Sequence, residues 1–311
     1  MSQVYNYRAC ASLMLLGEHA VVHQGFGICA AIDQFITAKL ELRDNKTILI
    51  KSSFGTYEGS IGCMPIKEPF SYVIEAINVF SDFISTGFEL TLTSGIDPNI
   101  GFGSSAAVVV ATLGALNLAF FHSTDPDRIL KDAIKTVRQV QGFASGCDCA
   151  ASVYGSTVAF NPRTFEIVKY HHSFDLTATY CGYKTKTALM INFVNQRLKQ
   201  QPKEIAKIFA EIENLATLGM RALTNNDLHR FGELMTAQQH HMKELGVSNQ
   251  DLDRLFDLLK SHQAILGAKI SGAGGGDCVI GLGAAIVHLP IEMHGAKIIH
   301  LKTLPGYYGM S

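Results

Sequence analysis

The sequence lacks a surplus of charge of either sign. Its 311 residues include 26 Lys and Arg against 27 Asp and Glu, and charged residues make up only 17% of the chain. A protein that binds a nucleic-acid backbone needs a basic excess to neutralise the phosphates. The balance therefore argues against a nucleic-acid partner, and the 47% of hydrophobic residues argues against disorder.

Paired cysteines, a leader segment and a membrane span are missing as well. The seven cysteines are scattered without a CxxC pair, which is typical of reduced thiols in a cytoplasmic protein. The first residues, MSQVYNYRACASLMLL, have no basic stretch before a long apolar core, so we expect no signal peptide. No apolar run approaches the roughly 18 to 20 residues of a membrane span, so we expect no membrane partner. Cys147 and Cys149 have no second Cys or His pair at ligand spacing, which argues against a metal site built on them.

The chain is long enough for two domains, and its patterns predict an α+β fold. Runs rich in branched or alternating apolar residues predict strands, which we place in 27–44, 45–53, 87–96, 156–161, 164–171, 186–195, 264–272, 277–283 and 296–302. Apolar spacing and start signals predict helices from Ser104 to about Phe121, after Pro202, around Phe231 and from about Asn249 to Ser261. A further helix is predicted in the segment after STDPD, with Ser123, Thr124 or Asp125 as its cap and Pro126 just inside. We place a domain boundary near residue 185, which gives an N-terminal domain of residues 1–185 and a C-terminal domain of residues 186–311.

The first segment that carries chemistry is IGFGSSAA, residues 100–107. Glycines allow the backbone to approach a ligand closely, and the start of the helix that follows offers N–H groups to an anion. The alternative is a glycine turn with Ser104 as a plain helix cap. The segment alone does not decide between a phosphate-binding loop and a capped buried helix, and it has no Walker lysine.

The second segment, KISGAGGGDC at residues 269–278, is rich in glycine between two predicted strands. Strands tolerate this much glycine poorly unless the backbone passes very near something, so a second phosphate-binding loop is favoured over a wide β-turn. The third segment is SGCDCAAS at residues 145–152, where Asp148 stands among small residues. An aspartate there can take the proton of a substrate hydroxyl, or it can cap the following helix, and both roles are compatible.

A fourth segment, GEHAVVHQG at residues 17–25, places Glu18, His19 and His23 in a predicted loop. Together the four segments resemble the GHMP small-molecule kinases, which include the galactokinases, homoserine kinases, mevalonate kinases and phosphomevalonate kinases. The motifs stand in the order that this superfamily has, and they span most of the chain. The resemblance implies an N-terminal domain like ribosomal protein S5 domain 2, a ferredoxin-like C-terminal domain, and a cleft between them that binds ATP and substrate.

The motifs are similar to those of two neighbouring families. GEHAVVHQG is similar to the mevalonate kinases. The segment ASGCDCAASVYGS matches the S-G-x-D pattern of the mevalonate kinases but resembles the phosphomevalonate kinase version at least as much, and SGAGGGDC with Asp277 also resembles the phosphomevalonate kinases. We favour an ATP- and Mg²⁺-dependent mevalonate kinase of isoprenoid precursor biosynthesis, with phosphomevalonate kinase as the alternative. The alternative predicts an extra basic cluster from Arg8, Lys184, Lys186 and Arg197. A hypothesis of another class is a degenerate member that binds a ligand without catalysis.

The resemblance assigns a role to each site residue. Asp148 is the expected catalytic residue, and Ser105 is the expected Mg²⁺ ligand. The expected ATP-binding residues are Gly101, Phe102, Gly103, Ser104, Ser105, Ala106, Gly272, Ala273, Gly274 and Gly275. The expected substrate-binding residues are Glu18, His19, Ser145 and Gly146. The expected partner is a small-molecule substrate, and the sequence is compatible with a homodimer.

Two positions depart from the superfamily pattern. Ser12 stands where members usually carry a lysine that lowers the pKa of the aspartate. Unless another cation such as Lys184 or Lys186 substitutes for it, the resemblance implies weaker catalysis or a different substrate geometry. Val137 stands eleven residues before Asp148, where mevalonate kinases carry a Mg²⁺-binding glutamate. We therefore expect the metal to rest on Ser105, the phosphates and water.

Overall fold

The computed structural model describes residues 3–23, 25–290 and 293–306. The strands in these residues are β1 Val4–Leu16, β2 Gly27–Leu42, β3 Thr47–Ser52, β4 Gly55–Ser60, β5 Phe88–Ser94, β6 Thr157–Asn161, β7 Glu166–Tyr170, β8 Asp175–Tyr180, β9 Gly267–Ser271, β10 Cys278–Leu282 and β11 Lys297–Lys302. The helices are α1 Ser71–Val79, α2 Ser104–Phe121, α3 Pro126–Gln141, α4 Cys147–Tyr154, α5 Thr187–Gln200, α6 Pro202–Thr224, α7 Leu228–Glu244 and α8 Gln250–Lys260. The α+β class predicted from the sequence is confirmed.

The first sheet contains β1 to β7. The helices α2 and α4 pack against it, and α1 and α3 pack on α2. The strand order of this sheet is β4-β3-β5-β2-β6-β7, with β1 paired antiparallel along β2. The pair β3 and β5 is parallel, and the other pairs are antiparallel. The long strand β2 therefore lies at the middle of the sheet and carries β1 on one edge, with β5 and β6 on the other.

The second sheet has the order β11-β8-β10-β9, and all its pairs are antiparallel. This order is 4-1-3-2 in chain sequence, which is the ferredoxin-like arrangement that we expected. The strand β8 lies before residue 185, so by sheet pairing the chain enters the second sheet between Tyr170 and Asp175. The described residues between β10 and β11 form no helix.

The helix α2 packs closely on β1 because its residues are small. A Cβ on Gly114 would lie 2.4 Å from the ring of Tyr7, so the glycine lets the helix approach the strand. Twelve of its residues are buried, which fixes the direction in which the helix start points. The predicted bounds of α2 are confirmed.

The helix α2 is also long and apolar enough, by length and composition, to cross a membrane. The sequence-based expectation that no run approaches this length overlooked the segment. However, 67% of it is buried inside the protein, as is common for a core helix.

The predicted strand in 186–195 is wrong, because these residues form most of α5. Only Val194 is buried in this helix. Thr187, Ile191, Val194 and Asn195 line the same cavity, and this spacing is helical. The apolar run imitates a strand because apolar residues lie on more than one face of a largely exposed helix.

The end of the described chain returns from the second sheet to the first. Ile32 pairs with Thr303, and Ser156 pairs with Pro305, as isolated bridges. The N–H of Leu304 donates to the carbonyl of Ala31 at 3.0 Å. The segment 303–305 therefore joins the two sheets on the side where β2 and β6 meet.

Candidate active site

Two adjoining cavities open in the cleft where the two sheets meet. The inner cavity has a volume of about 200 Å³, and its polar lining includes Glu18, His19, Ser145, Asp148, Ser271 and Asp277. The outer cavity has a volume of about 820 Å³, and its lining includes Phe54, Pro69, Phe70, Tyr72, Pro98 and Lys186. Both cavities share the residues Ser104, Ser105, Gln141, Lys184 and Thr187. The first turn of α2 is therefore the junction between them.

No side chain caps the start of α2. The N-cap residue is Gly103, which has a φ of 63° in the left-handed region that favours glycine. The interpretation of Ser104 as a plain helix cap is therefore wrong. The first N–H groups of the helix and the positive end of its dipole remain available to an anion at the junction. The hydroxyl of Ser105 accepts a hydrogen bond from Gln141 Nε2 at 3.3 Å.

The carboxylate of Asp148 is held from one side only. Asp148 lies in the first turn of α4, where it makes no capping hydrogen bond. Its Oδ1 accepts hydrogen bonds from Ser12 Oγ at 2.7 Å and from Cys29 Sγ at 3.5 Å. Its Oδ2 accepts none from the described residues, and the side chain lines the inner cavity. The helix-cap interpretation of Asp148 is wrong, and one carboxylate oxygen stays available to a ligand.

The environment of Asp148 favours proton uptake. Burial raises the pKa of its carboxyl, the hydrogen bonds from Ser12 and Cys29 lower it, and the charge of Glu18 raises it further. Neither Lys184 nor Lys186 is among the charges that act on this carboxyl in the described part of the chain. Lys184 Nζ instead donates to the carbonyl of Pro98 at 3.2 Å, beside the first glycine loop. Neither lysine is therefore paired with Asp148 in the described residues, so of the two open possibilities the structure does not favour substitution of the missing cation by Lys184 or Lys186.

The second carboxylate of the inner cavity, Glu18, is fully engaged within the protein. Its Oε1 pairs with the ammonium of Lys269, and its Oε2 accepts a hydrogen bond from Gln238 Nε2. The Lys269 side chain is completely buried in β9, and it also donates to the carbonyl of Ile270. Burial lowers the pKa of Lys269, while the Glu18 carboxylate opposes this shift. The pair ties the turn after β1 to the second sheet.

The second glycine loop, residues 272–276, approaches the cavity at one end only. Gly272 and Ala273 line the inner cavity, and the carbonyl of Ala273 accepts a hydrogen bond from His19 Nε2 at 2.9 Å. Burial lowers the pKa of His19, and the hydrogen bond to Ala273 opposes this shift. A Cβ on Gly274 would lie 2.4 Å from the carbonyl of Val247, and the N–H of Gly275 donates to that carbonyl at 2.7 Å. These two glycines anchor the loop and do not line either cavity.

The structure brings most of the predicted site residues together. The predicted residues that line the inner cavity are Glu18, His19, Gly101, Gly103, Ser104, Ser105, Ala106, Ser145, Gly146, Asp148, Gly272 and Ala273. The side chain of Phe102 is buried in the core, and its carbonyl accepts the N–H of Ser12 at 3.1 Å.

Several contacts of the site were not predicted from the sequence. The hydrogen-bond donors to Asp148 come from β1 and β2, which lie more than 100 residues before it in the chain. Gln141 Nε2 joins Ser105 to the hydroxyl of Tyr72, at 2.6 Å from the latter. Lys269 belongs to a motif that the sequence analysis treated only for its glycines. A lysine inside a predicted buried strand is the one signal that could have revealed the ion pair.

Comparison with known proteins identifies the class. Two family profiles match: GHMP kinases N terminal domain over residues 71–156, and GHMP kinases C terminal over residues 220–285. A mevalonate kinase of Archaeoglobus fulgidus is 33% identical over 275 residues, which cover 88% of this chain and 90% of the relative. A mevalonate kinase of Pyrococcus furiosus is 32% identical, and the alignment covers 88% of this chain and 87% of that protein.

Solved structures show the same fold. The crystal structure of L. major mevalonate kinase in complex with R-mevalonate matches with a TM-score of 0.80 at 22% identity, covering 98% of this chain and 97% of that one. Streptococcus pneumoniae phosphomevalonate kinase in complex with phosphomevalonate and AMPPNP matches with a TM-score of 0.75 at 18% identity, covering 94% and 99%. The fold and the matched domains define this chain as a GHMP kinase. Within that superfamily, its relatives at 30% identity or more show that it belongs to the mevalonate kinase family.

Proposed function

We propose that this protein transfers the γ-phosphoryl group of ATP to the hydroxyl of mevalonate, in isoprenoid precursor biosynthesis. The observation that carries the proposal is the junction of the two cavities at the uncapped start of α2, with Asp148 lining the inner one. Phosphoryl transfer needs a phosphate site between a nucleotide and an acceptor, together with a group that receives the proton of the acceptor.

The two cavities suit the two substrates. The outer cavity has the volume of a nucleoside site and is lined by the aromatic side chains of Phe54, Phe70 and Tyr72. The inner cavity is smaller and more polar, which suits a small hydroxy acid. ATP in the outer cavity places its phosphates along Gly101–Ala106 at the junction, where Gly272 and Ala273 approach from the second sheet. Lys184 lines both cavities and supplies positive charge beside the transferred group.

The residues at the junction fit a Mg²⁺ ion that is held mainly by phosphates and water. The hydroxyl of Ser105 accepts one hydrogen bond from Gln141 and has a further lone pair for the ion. Val137, which also lines the inner cavity, offers no oxygen, and the described residues contain no cluster of three His, Cys, Asp or Glu that could hold a metal. Mg²⁺ commonly takes one or two protein ligands together with substrate phosphates. When bound at Ser105, the ion would neutralise the charge that develops on the phosphates.

Asp148 receives the proton of the acceptor. The free Oδ2 accepts a hydrogen bond from the mevalonate hydroxyl, and it takes the proton as that oxygen forms its bond to the γ-phosphorus. The bond between the γ-phosphorus and the bridging oxygen of ADP breaks in the same step. The walls of the acceptor site are Glu18, His19, Ser145 and Gly146, of which Glu18 acts as a fixed carboxylate already paired with Lys269.

The phosphomevalonate alternative requires a basic cluster that the structure does not assemble. Arg8 lies 3.5 Å from the centre of the Phe35 ring, and Arg197 donates to the carbonyl of Glu244 at 2.6 Å. Neither of these two arginines lines a cavity. Lys186 lines only the outer cavity, which is the proposed nucleotide side, and Lys184 lines both cavities, so a single one of the four cations lines the acceptor cavity. The arrangement therefore favours an acceptor without a phosphate group.

The proposal is tested by ADP release with mevalonate, phosphomevalonate, galactose and homoserine as acceptors. We expect turnover with mevalonate at least tenfold above that with the other three. Turnover with phosphomevalonate alone would overturn the choice of acceptor. No ADP release with any of the four acceptors, together with intact ATP binding, would favour the noncatalytic hypothesis. We also propose a reducing, cytoplasmic setting, since all seven cysteines are free thiols.

A further inference from the structure

We propose that Ser12 is a positioning residue that orients Asp148 by hydrogen bonding alone, in the place of a cation, and fixes the distance between this base and the phosphate loop. The proposal rests on the proposed function of the site. It assigns to a neutral side chain the task that a lysine is expected to perform in other members of the superfamily.

The first observation is that Ser12 contacts both halves of the catalytic apparatus. Its hydroxyl donates to Asp148 Oδ1 at 2.7 Å, and its backbone N–H donates to the carbonyl of Phe102 at 3.1 Å. A Cβ on Gly103 would lie 2.1 Å from Ser12 Oγ and 3.3 Å from Asp148 Oδ1. The phosphate loop, the base and β1 therefore meet at this hydroxyl, and Gly103 must lack a side chain for them to do so.

The second observation is the direction that these contacts give to the carboxylate. Both donors to Asp148, Ser12 and Cys29, bind Oδ1, so this oxygen faces the first sheet. The side chain lines the inner cavity, which leaves Oδ2 for the acceptor hydroxyl. Ser12 is 1% exposed and sits in a strand paired along its length, so its own position is fixed by the sheet. A hydroxyl held in this way orients the base as firmly as an ion pair would.

The third observation is that Asp148 forms no ion pair with a cation in the described part of the chain, although Lys184 lines the same cavity. The turn after β1 contributes Glu18, β2 contributes Cys29, and α4 contributes Cys147 and Cys149. Lys269 is engaged by Glu18. The carboxylate is therefore stabilised mainly by the Ser12 hydroxyl, with a weaker contribution from the Cys29 thiol, because a thiol is a weak donor. Loss of the Ser12 donor disfavours the charged form of Asp148 and raises its pKa.

The test compares the variants Ser12→Cys and Ser12→Ala with the wild type over a pH series of kcat. We expect S12A to lower kcat at neutral pH at least tenfold, with the KM for ATP within twofold of the wild type. The acidic limb of its profile should move to higher pH, because its Asp148 holds a proton more tightly. S12C, which keeps a weaker donor, should lie between S12A and the wild type in both readouts.

The matched control is Ser152→Ala. This variant removes another buried hydroxyl, which also lies where α4 packs on β1. Ser152 Oγ donates to the carbonyl of Cys10 at 2.7 Å and makes no hydrogen bond to the Asp148 carboxylate among the described residues. We expect S152A to lower the melting temperature without moving the acidic limb. An S12A profile that matches the profile of S152A would overturn the proposal and leave Ser12 a packing residue.

A second readout separates this proposal from the proposed function. The carboxyl pKa of Asp148 is measured by ¹³C NMR of aspartate-labelled protein, with Asp148→Asn as the control that assigns the signal. A higher pKa in S12A than in the wild type supports the contact even where an acceptor is not turned over. An unchanged pKa of Asp148 in S12A contradicts the proposed role of Ser12. Absence of turnover by the wild type with every acceptor contradicts only the proposed reaction.

Discussion

Three carboxylates line the inner cavity, those of Glu18, Asp148 and Asp277, and the surroundings of the first two differ completely. Glu18 has both oxygens bound, one by a buried ammonium and one by an amide. Asp148 has neutral donors on one oxygen and none on the other in the described structure. A carboxylate whose charge is already compensated holds the structure together, whereas one that lacks a cation and has a free oxygen can accept a proton. The comparison separates a structural acid from a chemical one within the same cavity.

The largest expected effect is that of Asp148→Asn. The amide keeps the shape of the side chain but cannot take the proton of the acceptor, so kcat should fall about 10³-fold. The dissociation constant for ATP should stay within twofold, because Asp148 does not belong to the phosphate loop. Steady-state kinetics and nucleotide titration measure the two quantities. Undiminished turnover would remove Asp148 from the role of base.

The next effect concerns Glu18 and its partner. Lys269→Met leaves the Glu18 carboxylate buried without a cation, so the free energy of unfolding should fall by about 3 to 5 kcal/mol. Urea denaturation measures the loss. The control is Lys297→Met, which removes an exposed lysine paired with Asp97 at 2.8 Å and should cost less than about 1 kcal/mol.

The two carboxylates are distinguished further by the double variant Glu18→Gln with Lys269→Met. Because it removes both charges, it should be more stable than K269M alone. If K269M were no less stable than K297M, Glu18 would not be the structural member of the comparison.

A smaller effect is expected for Lys184→Ala. Since no cation stands beside Asp148, positive charge for the transfer has to act on the phosphates, and Lys184 lines both cavities. Loss of one charged donor to a phosphate should lower kcat/KM for ATP about tenfold. Lys186→Ala is the matched control. Lys186 lines only the outer cavity, so its replacement should lower kcat/KM for ATP less than Lys184→Ala does. Equal effects of the two variants would contradict the role given to Lys184.

The smallest expected effect is a change in stability. It concerns two aspartates near the glycine loops, which differ from each other as Glu18 and Asp148 do. Burial raises the pKa of Asp277 to about 6, and its Oδ1 has no hydrogen-bond partner. Its folded-state pKa lies above the unfolded value, so its contribution to stability is present below about pH 4 and is lost as the pH rises to about 6. Asp277→Asn should therefore stabilise the protein by about 1 kcal/mol at pH 8 and have little effect at pH 4.

Asp97 is the opposite case and provides the control for Asp277. Its hydrogen bonds from Lys297 and from the Asn99 N–H lower the pKa of its carboxyl. Its contribution is present above the unfolded pKa and is lost as the pH falls below it. Asp97→Asn should therefore lower the melting temperature at pH 8, whereas Asp277→Asn should raise it. Melting curves at pH 4 and pH 8 measure both signs, and equal signs would contradict the assigned surroundings.

Local signals in the sequence predicted the elements that carry the glycine loops. Gly103 followed by Ser104 located the start of α2, and Asp125 with Pro126 located the start of α3, where Asp125 accepts the N–H of Asp127. These signals act within one turn of chain, so they can be seen without the fold. The helix α5 could not be recognised from local signals. The helical spacing of its residues becomes visible only when the fold shows which of them line the cavity.

The partners of the two carboxylates were beyond sequence reasoning for a similar reason. Ser12 and Asp148 are 136 residues apart, and Glu18 and Lys269 are 251 residues apart. Only the pairing of β1 with β2, the docking of α4 and the closure of the second sheet bring them together. The resemblance located Asp148 and drew attention to Ser12. It could not show that the serine itself contacts the aspartate.

The return of segment 303–305 to the first sheet affects the order in which the protein can be completed during synthesis. The bridges to Ile32 and Ser156 are made by residues that leave the ribosome more than 130 residues after β7. A nascent chain that already holds the first sheet and α1 to α4 still lacks segment 303–305. Until residue 305 emerges, the backbone of β2 between its pairings with β6 and β5 lacks this partner, so the first sheet is completed only after the second sheet has been synthesised.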